Sequence, residues 1–220
     1  MVFRQSAPAP GRYGALLLLL ITTYLLSAFI TARWIESLQV VLFTAAGLIA
    51  LRNSTVSRRT VRALMLVAVI GVPVFFATSI STATGDIGTG VANLWTGVIL
   101  LAAAAMIVRR VLAFGTVTLQ SIYGALSAYM IVGLMFAAFF AAIYHFSGDT
   151  FFASGEKATP QTFQYFSFTT LTTLGYGDYT AAESSGQAVA VLEALTGQVF
   201  LATLVARLVA AFRGPGDREN

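Results

Sequence analysis

Residues 169–178 read TTLTTLGYGD, a polar, glycine-punctuated stretch set among long oil-soluble runs, and its reading decides the fold. Irregular backbone at membrane depth is tolerated only where it lines a water-filled path or is buried in protein. The residue types here suit the first case. Backbone carbonyls of Thr173, Leu174, Gly175 and Tyr176 can form successive rings of oxygen that replace the hydration shell of a bare cation. Pointing consecutive carbonyls one way demands positive φ at alternate positions, which glycine tolerates and other residues resist. Gly175 and Gly177 are expected to supply it, while the Thr173 hydroxyl adds an oxygen at the inner mouth.

Upstream, the run 160–172 starts with a proline after Thr159 and is apolar enough to form a short helix descending toward the filter. The negative end of its dipole would face the same path and favour a cation there.

These residues carry a resemblance. TTLGYGD is similar to the signature of tetrameric potassium channels, and 117–212 resembles the outer helix, pore helix, filter and inner helix of bacterial potassium channels with the two-helix ion-channel domain. The tail VLEALTGQVFLATLVARLV (191–209) resembles the inner helix of that group. The resemblance implies potassium held at Thr173, Leu174, Gly175, Tyr176 and Gly177. It further implies that Tyr165 and Phe166 brace the filter, with Tyr165 bonding toward Asp178. Thr169 stands where some relatives carry a carboxylate, and Ala181 where a proline is usual; the first departure speaks against filter inactivation that depends on a buried acid pair.

Composition agrees with an all-α membrane protein. Of 220 residues, 57% are hydrophobic and 10% charged, with a mean hydropathy of +0.81; a soluble core of this size would carry more charge. A net charge of +4 raises nucleic acid as a partner, but the arginines are scattered along short connections, so none is expected. With no cysteine, there is no disulfide framework or thiolate metal site.

Apolar runs at 14–31, 37–51, 63–80, 91–108, 122–146 and 187–212 predict six transmembrane helices plus a re-entrant pore helix and filter. The first run is long enough to span and lacks a cleavage site, which favours a retained helix over a signal peptide. The second is short for a crossing. Every arginine except Arg33 falls on one side of this arrangement, and Lys157 joins Arg33 on the other. The positive-inside rule then puts both termini in the cytoplasm of a multi-pass cell-membrane protein. The domains are a four-span region (1–110), an interfacial linker (111–120), a pore domain (121–213) and a short cytoplasmic tail (214–220). The fourth run, 91–108, carries no arginine, so voltage sensing of the usual kind is not expected. Arg58, Arg59 and Arg62 read as a topology anchor touching anionic membrane lipid.

Within the inner helix, Gly197 fits either a bend or close packing. Glu193, one turn earlier, is an intramembrane acid and is expected behind the filter, bonded to pore-helix hydroxyls. Gln198 suits a polar cavity wall, with Leu201, Val205 and Leu208 following on roughly the same face as an apolar gate. His145 lies before the polar turret 147–159, where acid sensing would need a partner that its sequence neighbours do not supply.

One filter per chain supplies one wall of the cage, so a homotetramer is expected. The expected function is passive, selective potassium conduction with no cofactor beyond the permeant ion. A non-conducting accessory subunit and a non-selective cation channel are the alternatives. No nucleophile, base and acid constellation points to an enzyme. With only a short tail after Arg213, ligand gating is expected to need an unidentified regulatory subunit.

Overall fold

A computed structural model describes residues 13–29, 85–113, 117–148 and 150–212. Five helices run through them: α1 (Tyr13–Phe29), α2 (Gly85–Ala113), α3 (Leu119–Ser147), α4 (Pro160–Leu171) and α5 (Ser184–Phe212). The predicted second and third spans, the cluster Arg58, Arg59 and Arg62, and the tail (214–220) lie outside the described residues. Among the described residues there is no strand, and three helical stretches are long and apolar enough to cross a membrane: Asp86–Leu112, Leu119–Ser147 and Ser184–Ala210. The first apolar run forms a shorter helix of 17 residues.

α2, α3 and α5 extend past the apolar runs that predict them. At 29 residues, α2 is about 43 Å long at 1.5 Å per residue, so its polar ends, Asp86 and Arg109–Arg110, lie beyond the hydrocarbon-length core. The stretch predicted as an interfacial linker is divided: Val111–Ala113 close α2, and Leu119 opens α3. A reciprocal capping box fixes that second start, with Ser121 N donating to Thr118 Oγ1 at 3.2 Å and Thr118 N to Ser121 Oγ at 2.8 Å. Two of the helix's orphan amide donors are thereby satisfied. At its far end α3 stops on Gly148, whose φ of +70° suits a left-handed cap.

α3 is the element the others surround. Ile131, Ala128, Ser127 and Phe140 are fully enclosed, and α1, α2, α4 and α5 all pack on it. Glycines make the approach to α2 close. A Cβ at Gly97 would sit 2.3 Å from the Phe139 ring, and one at Gly90 would sit 2.7 Å from Phe146. Two aromatic rings of α3 are thus seated in two glycine notches of the antiparallel α2.

At one end of the bundle, Arg207 of α5 donates to the carbonyls of Val111 and Leu112 in the last turn of α2, the second at 2.9 Å. A cation at a helix C-terminus meets both the orphan carbonyls and the negative dipole end. At the other end, Asp86 Oδ1 lies 3.5 Å from His145 Nδ1. The partner that sequence neighbours do not give His145 therefore comes from α2, across the bundle.

The segment after α3 is held by rings. Phe140, Phe151, Phe152, Phe163 and Phe166 form a cluster with centroid separations such as 4.9 Å for Phe140–Phe166 and 5.1 Å for Phe151–Phe163. An antiparallel bridge between Phe152 and Ala181 ties the segment between α3 and α4 to the segment between α4 and α5, through Ala153 N to Thr180 O and Ala182 N to Phe151 O, both 2.9 Å.

Candidate functional site

The short helix α4 is built to aim its C-terminus at the glycine-rich stretch. Pro160 occupies its first turn, where no amide proton is missed. Thr159 and Thr162 cap it reciprocally at 3.2 and 2.8 Å. At its other end the chain winds back on the helix: Thr173 N donates to Thr170 O at 2.9 Å, while Leu174 N and Gly175 N donate to Thr169 O at 2.8 and 3.2 Å. The orphan carbonyls of the last turn thereby anchor the extended segment that follows.

In that segment φ alternates in sign. Thr173, Gly175 and Gly177 have φ of +58°, +52° and +81°. The two glycines adopt the left-handed conformation expected of them. Thr173 is the residue that the residue types alone do not reveal, because a β-branched side chain at positive φ is an outlier that stores of order 1–3 kcal/mol of strain. What holds it is its surroundings. Its hydroxyl donates to Thr172 O at 2.6 Å and accepts from Gln198 Nε2 of α5 at 3.1 Å.

The inner helix also meets the end of α4 directly. A Cβ at Gly197 would lie 2.1 Å from the Leu171 carbonyl oxygen, a separation that no side-chain carbon occupies. The same oxygen accepts from Tyr129 Oη of α3 at 3.1 Å. Leu171 is therefore a junction of three helices.

At the far end of the glycine-rich stretch, Tyr165 Oη donates to Asp178 Oδ2 at 2.8 Å, and Tyr179 N donates to Asp178 Oδ1 at 3.0 Å. Tyr165 lies outside the spanning helices. Its hydrogen bond to Asp178, with desolvation adding, pushes the phenol up to about 12. Because this exceeds the ordinary value of 10.0, the link is fully present below that pH and is released as pH rises through about 12. Thr169 is buried, and its hydroxyl bonds back to the Tyr165 carbonyl at 3.0 Å; its own carbonyl accepts from Leu174 N and Gly175 N.

Glu193 is wholly enclosed, with Oε1 2.5 Å from Ser167 Oγ of α4. Of the residues predicted to follow Gln198 along a common face, Leu201 and Val205 are exposed. Leu208 is half-buried and lines a small cavity with Ser121 and Ile122 at the start of α3.

The glycine-rich stretch presents itself to the outside of a single chain: Leu174 and Tyr176 are 54% and 69% exposed. Only 11% of the apolar window of α5 is buried. Both surfaces are apolar enough to require covering by lipid or protein.

Residues 132–214 match the family model described as ion channel. The match takes in the second half of α3, then α4, the glycine-rich stretch and α5. No curated protein and no solved structure matches the chain.

Proposed function

We propose that this protein is a potassium-selective channel, in which four chains surround one path and potassium moves passively through rings of carbonyls from Thr173, Leu174, Gly175, Tyr176 and Gly177. The observation that carries the reading is the alternation of positive φ at 173, 175 and 177. Alternating handedness is what a chain needs to direct successive carbonyls to one side, and rings of such carbonyls replace a hydration shell. The exposed flank of the same stretch supports assembly, since one chain supplies one wall of a closed cage.

In this reading the end bearing Arg110 and Arg207 faces the cytoplasm, and the Asp86–His145 end faces outside. Gln198, bonded to Thr173, stands at the inner mouth, and rings of Leu201 and Val205 form the apolar constriction below it, with Leu208 at its flank against α3. Apolar constrictions close by dewetting. The surroundings of α5 are neighbouring copies and lipid.

The test is the reversal potential of the purified protein in planar bilayers under a potassium gradient balanced by sodium. Reversal near the potassium equilibrium value supports the reading. Reversal near zero points instead to a non-selective pore, and absence of current from a verified tetramer to an accessory subunit.

A second expectation concerns the outer mouth. Tyr165→Phe removes the donor to Asp178 and leaves the carboxylate with the Tyr179 amide alone. Single-channel records are expected to show conducting periods several-fold shorter at unchanged unitary conductance; unchanged dwell times would mean that the bond does not brace the filter.

A further inference from the structure

Three helices meet at one serine. Ser167 Oγ, itself fully buried, lies 2.6 Å from the Gly133 carbonyl of α3 and 2.5 Å from Glu193 Oε1 of α5. Both separations are hydrogen-bond lengths between oxygens, and each needs a proton between its partners. A serine hydroxyl has one proton to give and lone pairs with which to accept. The Gly133 carbonyl has no proton, so the Ser167 proton goes to it. The short contact to Glu193 then requires a proton that comes from the acid.

Three further observations point the same way. Glu193 is 0% exposed within a single chain, so neither a neighbouring copy nor solvent reaches it. Its second oxygen, Oε2, meets no donor among the described residues, which an ionised carboxylate could not sustain in such a site. Among the described residues the titratable group facing it is Tyr129 of α3, whose hydroxyl is given to Leu171 O at 3.1 Å and offers no compensating positive charge. α4 contributes Ser167 alone to the acid's hydrogen bonding.

We propose that Glu193 is held as the neutral acid and donates to Ser167, which donates to Gly133, so that a directional chain of two protons fixes the pore helix between the outer and inner helices. Glu193 is then a positioning residue for the filter. It orients α4 through Ser167, one turn before the Leu171 junction from which the glycine-rich stretch departs. The direction of donation distinguishes this arrangement from an ion pair. It needs no cation, and it fails if either the acid proton or the serine hydroxyl is removed.

The geometry of the proton chain stands without the channel reading; only its consequence for selectivity rests on it. The test therefore has two independent arms, both on the full-length protein in lipid vesicles at neutral pH. The first is the infrared difference spectrum between wild type and Glu193→Gln. The expected result is a carbonyl-stretch band of a protonated carboxylic acid, lost in E193Q and displaced in Ser167→Ala, where the acid loses its acceptor. Loss of a carboxylate band in place of the acid band overturns the proposal, as does an acid band that S167A leaves unmoved. Should E193Q fail to fold, the comparison of wild type with S167A decides alone.

The second arm is the reversal potential. E193Q, whose amide can still donate to Ser167, is expected to keep the wild-type value. Glu193→Ala and S167A are expected to lose selectivity to a similar extent, several-fold, with the double variant no worse than either. Additive losses would overturn the positioning role. If the wild type shows no potassium selectivity, the channel reading falls while the infrared result stands or falls separately.

Discussion

Gly175→Ala is expected to abolish potassium-selective current while leaving the helices folded and the chains assembled. The position has φ of +52°, and a Cβ there meets no atom within 4 Å. Within one chain no clash opposes the new methyl group, so the effect there falls on the backbone. Left-handed geometry costs an L-residue about 1–2 kcal/mol, which the proposed four-fold ring would meet four times over. The local way to relieve it is to turn the peptide so that φ becomes negative, which swings one carbonyl in each ring away from the path. An ion arriving there would lack the oxygens that replace its hydration shell. Circular dichroism and cross-linking should match wild type, whereas the reversal potential should move to zero or the current vanish. A G175A channel that still reverses near the potassium equilibrium value would sink the filter reading.

The second large effect is expected at Gly197. Here space, not φ, is limiting. The methyl group of Gly197→Ala would sit 2.1 Å from the Leu171 oxygen, against backbone that is itself hydrogen-bonded to Tyr129. Overpacking of this kind costs about 1–3 kcal/mol where neighbours can shift, and this neighbour is the end of α4. Thermal unfolding of purified G197A should begin several degrees below wild type, with potassium selectivity lost in the same preparation. A glycine that serves only as a moving hinge predicts a different pair of results: unchanged stability and selectivity, with altered open probability.

Much of the pore region was legible because its signals are local. The proline and threonine before 160, the paired threonines and the two glycines each dictate backbone within a few residues, so the short helix and the turn after it can be read directly. The extents of the long helices were less legible: Asp86, Arg109, Arg110 and Thr118 are polar, and a hydropathy run ends where such residues begin. Contacts between distant positions were legible only in part. An enclosed acid such as Glu193 calls for hydroxyl partners, but nothing in the spacing tells that Ser167 also reaches Gly133. Likewise Asp86, 59 positions before His145 in the numbering, becomes its neighbour only because two helices run antiparallel. The positive φ of Thr173 was invisible for a different reason. It opposes the preference of its own side chain and exists because Thr170, Thr172 and Gln198 together hold it.

The paired ring seats between α2 and α3 limit how one helix can travel past the other. Gly90 and Gly97 are two turns apart, as are Phe139 and Phe146, and each ring fills one notch. A displacement of α2 by a residue or two would drive both rings against side chains at once, and the next register that restores even one seat lies a full two turns away, about 10.5 Å along the axis. Sliding is therefore quantised: α2 is a latched rod, not a piston. Motion transmitted along this helix has to tilt or rotate α2 and α3 as a unit, carrying with them the Arg207 clasp near the C-terminal end of α5.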